Sequence, residues 1–262
     1  MSSDADARAA ELHLLYRIGN APVRAYPYPH LLVHDVFPRE YYRQIRAHLP
    51  SGEHLRPIHE LRGVTDHYKD RWILPMLPDA VGKLASPLKE FWLSMCETLF
   101  RGTFGHLLIS RFEPFLRSRF EKEPNVQFRD EALLVYDHTN YSLGPHTDAP
   151  RKVLSVLFYL PEDDTRPELG TSVYVPKDEN FRCEGGPHYP FDGFRRMTTM
   201  PYVPNAMFAF LKTPVSFHGV EPVTEPDFHR TLLLYDLHIV KQPPPAPAPS
   251  VIPGAAKASF TF

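Results

Sequence analysis

Cysteine is nearly missing from this chain. Cys96 and Cys183 stand far apart, which excludes a disulfide framework and a cysteine-based zinc site and points to a reducing compartment. A charge excess of one sign is also missing: 29 Lys and Arg face 31 Asp and Glu, a net charge of −2. No broad field is therefore available to draw in nucleic acid or an anionic membrane surface. No window approaches ~18 consecutive apolar residues. The N-terminal MSSDADARAAELHLL carries acids where a secretory leader needs a basic stretch and an apolar run. The chain reads as soluble and cytoplasmic, with no nucleic-acid or membrane partner. It also lacks GxGxxG, a P-loop, HExxH, a GxSxG elbow and a paired CxxC, so nucleotide cradling and serine hydrolysis lose most of their support.

What is present in excess is proline, 29 of 262 residues, about twice the ordinary ~5%. That disfavours a long helical bundle, while the 43% apolar content suffices for a core. The first third shows helical periodicity. LLVHDVF at 31–37 reads as a strand leading into a helix from Pro38 to Leu49, and Leu88, Phe91, Trp92, Met95 and Leu99 line one face of a second helix. From about Glu131 the texture becomes short apolar and β-branched runs between Pro, Gly, Asp and Asn clusters. The expected strands are 131–137, 144–149, 153–160, 171–176, 206–211, 216–223 and 229–240. Such spacing suits a β-sandwich or jelly roll. The segment 181–203 has no clean period and reads as a lid or substrate-contact insertion. The organisation expected is one domain over 1–240, its core at about 131–240, with 241–262 as a Pro/Ala-rich tail dispensable for the fold.

The chemistry that remains possible centres on His146-Thr147-Asp148. Chance alone supplies about one His-x-Asp triplet in a chain with 14 His, so the motif is informative only in context. Residues two apart on a strand share a face, so His146 and Asp148 can grip one ion. A second histidine from another strand completes a facial triad suited to non-haem Fe(II) with open positions for reactants. His218, in SFHGVEPV beside small Gly219, is the best third ligand; His188, His229 and His238 compete. Arg230 then lies in HRTLLLYDL, a run that reads as buried on both faces. Arg230 either sits at the strand end, solvated or paired with Asp227 or Glu225, or is a buried cation whose anionic partner is the distal carboxylate of a 2-oxo dicarboxylate chelating the metal.

In this order, His146, Asp148, His218 and Arg230 resemble the pattern of the Fe(II)/2-oxoglutarate-dependent dioxygenases, in the branch similar to prolyl 4-hydroxylases. The flanking segments YPYPHLLVHDVFPREYYRQIRAHLP at 26–50, VYDHTNYSLGPHTD at 135–148, ELGTSVYVP at 168–176 and PNAMFAFLKTPVSFHGVEPV at 204–223 look like that branch too. The resemblance implies a mainly β double-stranded β-helix (jelly roll) with N-terminal helices. It also implies Fe(II) on His146, Asp148 and His218 with 2-oxoglutarate as cosubstrate, and oxidative decarboxylation to succinate and CO₂ coupled to dioxygen-driven hydroxylation of an aliphatic C–H in a small molecule or peptide. Leu232 stands where some branches carry a hydroxyl residue two after the Arg, so Tyr136 is taken as the second hydrogen-bond donor to the distal carboxylate. Substrate contacts are expected from 181–203 and near His138, Asn140 and Tyr141. Two other readings remain: a cupin-like metal-binding jelly roll, disfavoured by the absence of His-x-His, and a non-catalytic interaction protein on the same fold.

Overall fold

A computed structural model describes residues 2–62, 68–100, 103–121 and 126–240; the tail at 241–262 lies outside the described residues. The helices are α1 (Ser2–Asn20), α2 (Arg39–Ala47), the single turns α3 (Ile58–Leu61) and α4 (Pro78–Val81), α5 (Leu88–Leu99) and α6 (Thr103–Phe120). The strands are β1 (His30–Val33), β2 (Arg56–Pro57), β3 (Arg71–Pro75), β4 (Gln127–His138), β5 (Leu143–His146), β6 (Lys152–Tyr159), β7 (Thr171–Pro176), β8 (Phe194–Met200), β9 (Ala206–Leu211), β10 (His218–Val220) and β11 (His229–Val240). They form a seven-stranded sheet ordered β1-β9-β6-β11-β4-β3-β2 and a four-stranded sheet ordered β5-β10-β7-β8. Every pairing is antiparallel. This is the expected jelly-roll architecture, open rather than closed into a barrel.

The large sheet is covered on both faces. Along β11, Leu233, Tyr235 and Leu237 pack in one cluster with Leu14, Ile45, Trp92 and Phe112 from the helices. The alternate residue Leu232 packs in the cluster between the sheets, and Arg230, Leu234, Asp236 and His238 line the inter-sheet cavity. The period-2 geometry of a strand makes this division unavoidable. Trp92 is fully buried and its indole donates to the His48 carbonyl at 2.6 Å, tying α5 to the end of α2.

Several expectations need correction. The strand expected at 31–37 stops at Val33, and Asp35, with φ 49°, turns the chain into α2. The segment 181–203 contains β8, an edge strand paired with β7. Its residues Arg195, Arg196, Met197 and Thr198 are exposed, so no buried face imposes a hydrophobic alternation. Two long helices were also not anticipated. In α1 the buried residues Ala7, Ala10, Leu14 and Ile18 do recur at helical spacing, but two are small and the exposed Leu12 and Tyr16 blur the stripe, and α6 contains Pro114, which reads as a breaker in sequence.

Candidate metal centre and anion pocket

The antiparallel register of β10 on β5 sets His218 directly opposite His146, with ring centroids 4.3 Å apart. Asp148 follows two residues beyond the end of β5. Ligand atoms of His146, Asp148 and His218 all lie within 4.8 Å of one another, and all three side chains line one cavity of about 650 Å³ between the sheets. The two histidines are held alike. Nδ1 of His146 donates to the Gly144 carbonyl at 3.0 Å, and Nδ1 of His218 donates to the Ser216 carbonyl at 3.0 Å. A carbonyl can only accept, so the proton sits on Nδ1 and each neutral ring keeps its Nε2 lone pair available.

The electrostatics agree with that assignment. Burial, reinforced by the neighbouring His218, pushes His146 well below the ordinary imidazole range, and burial lowers His218 as well. Burial of Asp148 opposes its ionisation, but the Lys152 ammonium, with the hydrogen bond from Ser155, helps to hold the carboxyl well below its usual range. Ser155 Oγ donates to Asp148 Oδ2 at 2.7 Å, and Lys152 Nζ lies 3.2 Å from Oδ1. Two neutral nitrogens and one carboxylate oxygen constitute the donor set of a divalent non-haem metal.

Arg230 sits deeper in the same cavity, with no solvent exposure. Its Nη1 donates to the Leu169 carbonyl at 3.1 Å. Nε lies 3.5 Å from Asp137 Oδ2, yet Nε and Nη2 have no hydrogen-bond partner. The register across β11, β4 and β3 aligns Arg230 with Asp137 and Asp137 with Arg71. Arg71 takes that carboxylate with two bonds, at 2.6 and 2.9 Å. Two buried guanidiniums thus share one carboxylate, and the surplus positive charge is left on Arg230. Thr171 Oγ1, also buried and without a partner, lines the cavity.

The other candidates fall elsewhere. Tyr136 packs in the helix-facing cluster and donates to the Pro50 carbonyl at 2.6 Å. Its neighbour Asp137 is the residue that pairs with the two arginines, so the parity of β4 turns Tyr136 away from the anion pocket. His229 stacks on Tyr136, with centroids 4.4 Å apart, outside the cavity. His188 does line the cavity, its ring 4.4 Å from that of His146, and accompanies the triad without replacing His218. His238 lies at the mouth, beside Glu131 and Asp236. His138 packs against Trp72, Asn140 occupies a turn at φ 74°, and Tyr141 covers Arg71 with its ring; none of the three lines the cavity. From 181–203, Gly186 and His188 reach it.

No protein-family model and no curated protein sequence matches the chain. Among solved structures, a prolyl 4-hydroxylase from Phytophthora capsici superimposes with TM-score 0.50 at 14% identity, over 88% of this chain and 66% of that one. What is shared is the fold. A 2OG-Fe(II) oxygenase-family oxidoreductase from Burkholderia pseudomallei gives TM-score 0.45 at 14% identity, over 90% of this chain and 89% of its own. A prolyl-4-hydroxylase from Pseudomonas putida gives 0.42 at 15%, over 86% and 98%. The chain therefore has a double-stranded β-helix fold, shared with the Phytophthora enzyme, and its activity has to be argued from the cavity. Among the described residues, no helix is long and apolar enough to cross a membrane.

Proposed function

We propose that the chain is an Fe(II)- and 2-oxoglutarate-dependent oxygenase that hydroxylates an aliphatic C–H of a small-molecule or peptide substrate. The observation that carries this reading is Arg230, a fully buried guanidinium with two unpartnered nitrogens in the same cavity as the His146–Asp148–His218 triad. A buried cation that has to share its carboxylate with a second guanidinium is costly unless a ligand completes it. A 2-oxo dicarboxylate has one end for the metal and one for the guanidinium fork.

On this reading His146, Asp148 and His218 would hold the iron, which when bound supplies the activation of dioxygen. The chain's own residues bind and orient. Arg230 receives the distal carboxylate, and Thr171 Oγ1 takes over the hydrogen bond first ascribed to Tyr136. Arg71 holds both oxygens of Asp137, so the carboxylate beside Arg230 leaves that guanidinium without a hydrogen bond from Nε. Leu133, Leu157, Leu234 and Val220 line the cavity and exclude water from the reacting atoms.

The test is a titration of 2-oxoglutarate into anaerobic Fe(II)-loaded protein, following the visible band that keto-acid chelation produces. Arg230→Met should weaken binding by roughly two to three and a half decades, equivalent to about 3 to 5 kcal/mol for a buried carboxylate left unpaired. Arg230→Lys should retain part of the affinity, keeping a point charge without the fork. Iron binding should survive in both. An unchanged titration in Arg230→Met would remove the basis for the cosubstrate.

A further inference from the structure

The cavity mouth carries a set of charged residues that the triad and the anion pocket do not use. Three adjacent strands place Arg129 of β4, His238 of β11 and Lys152 of β6 in register, and set Glu131, Asp236 and Ser155 in register one layer further in. All but Ser155 are charged or titratable, and all six line the cavity.

Each acid here is already held by a cationic side chain, Lys152 being shared between Asp236 and Asp148. Glu131 receives two bonds from Arg62, at 2.7 and 3.1 Å, and Asp236 lies 3.0 Å from Lys152 Nζ. Ligand atoms of Glu131, Asp236 and His238 approach within 4.8 Å of one another, but cationic side chains occupy the two carboxylates, which disfavours a second metal ion. What remains unspent is positive or hydrogen-bonding. His238 is only 3% exposed, yet neither ring nitrogen has a hydrogen-bond partner; Glu131 Oε2 stands 3.7 Å from its Nε2. The exposed Arg129 and Arg151, both on the cavity wall, have no side-chain partner among the described residues.

We infer that this mouth is a substrate-recognition subsite for a compact oxyanion, a carboxylate or a phosphate monoester, held by Arg129 and Arg151 with a hydrogen bond from His238. The subsite also restricts where oxidation falls. Lys152 Nζ touches Asp148 at 3.2 Å and Asp236 at 3.0 Å, so one ammonium group separates the triad from the subsite. The C–H facing the metal is then within a few bonds of the substrate's anionic group. The positional argument rests on the oxygenase reading; the anion site does not.

The experiment uses Zn(II)-loaded protein with saturating 2-oxoglutarate and four probes of one shape: phenylacetate, phenyl phosphate, phenylacetamide and phenethylamine, followed by saturation-transfer NMR. One or both anions should bind, the choice between them naming the oxyanion, while the amide and the amine should not. Because Arg129 and Arg151 are exposed, the R129A/R151A double variant should fold; it should weaken the bound anion at least tenfold, with H238A acting in the same direction. Binding in Arg230→Met should persist, which separates this subsite from the cosubstrate pocket. The inference is overturned if the amine or amide binds as well as the anions, if no anion binds, or if R129A/R151A leaves anion binding unchanged. Anion binding that depends on Arg129 and Arg151 in a protein that does not bind 2-oxoglutarate would sink the oxygenase reading and leave the subsite standing.

Discussion

Ser155 supports the metal centre without touching the ion's ligand nitrogens. Its hydroxyl holds one oxygen of Asp148 at 2.7 Å and so fixes the carboxylate plane. Losing such a support commonly costs 10- to 100-fold in metal affinity; Ser155→Ala should therefore raise the Fe(II) or Zn(II) dissociation constant by about that factor, measured by competition with a chelator, while the fold is kept. Glu131 offers a test with pH. The His238 ring 3.7 Å away and the bidentate Arg62 lower its carboxyl from the usual range to about 2. A carboxyl lowered in the folded state stabilises above its unfolded value and loses that contribution as pH falls through the folded one. Glu131→Gln should therefore be less stable at neutral pH, by on the order of 1 to 3 kcal/mol, and should have a shallower loss of stability between about pH 4.5 and 2. A wild-type-like urea midpoint at both ends of that window would show that the ion pair contributes nothing.

At the scale of elements, β10 is three residues long and carries His218 because its neighbours approach closely over Gly219. A Cβ there would stand 2.6 Å from the Leu143 carbonyl oxygen and 3.2 Å from the Tyr174 ring. Gly219→Ala should push β10 off β5 and weaken metal binding more than tenfold, while far-UV circular dichroism stays close to that of the wild type. Tyr136→Phe should instead lose about 0.5 to 1.5 kcal/mol of stability with its bond to Pro50 and leave 2-oxoglutarate affinity unchanged.

These contrasts show what was legible in the sequence. Strands 171–176, 206–211 and 229–240 carry the same bounds in both readings, because Gly, Pro or Asn punctuates the buried runs. His146, Asp148, His218 and Arg230 were legible as an ordered spacing. The side of the sheet on which each β4 residue lies was not. It follows from the pairing of β4 with β11, and a one-residue change in register would exchange Tyr136 for Asp137 in the pocket. Arg71 was invisible for the same reason: it comes from β3, 66 residues before the carboxylate it holds. The mouth residues Glu131, Asp236 and His238 become a set only once β4 and β11 are side by side.

For the whole molecule, the triad belongs to the small sheet and its adjoining loop, and Arg230 to the large one. A metal bound at a hundred times its dissociation constant should add about 2.7 kcal/mol to the folded state, raising Tm by about 5 to 11 °C for a chain of this size. Zn(II) should produce that rise in the wild type and none in a His146→Ala/His218→Ala variant. An equal rise in both would place the ion elsewhere.

The division between sheets also makes the sandwich a ruler. On the proposed reading, one end of the cosubstrate is fixed by the small sheet and the other by the large, so the gap between two packed layers, and not any single side chain, selects the length of diacid accepted. A four-carbon 2-oxo diacid would leave Arg230 short of its carboxylate, and a six-carbon one would have to buckle. Length discrimination of this kind should yield to substitutions that alter the spacing of the layers, such as Leu157→Ala or Val220→Ala, whose side chains supply neither a metal ligand nor a charge.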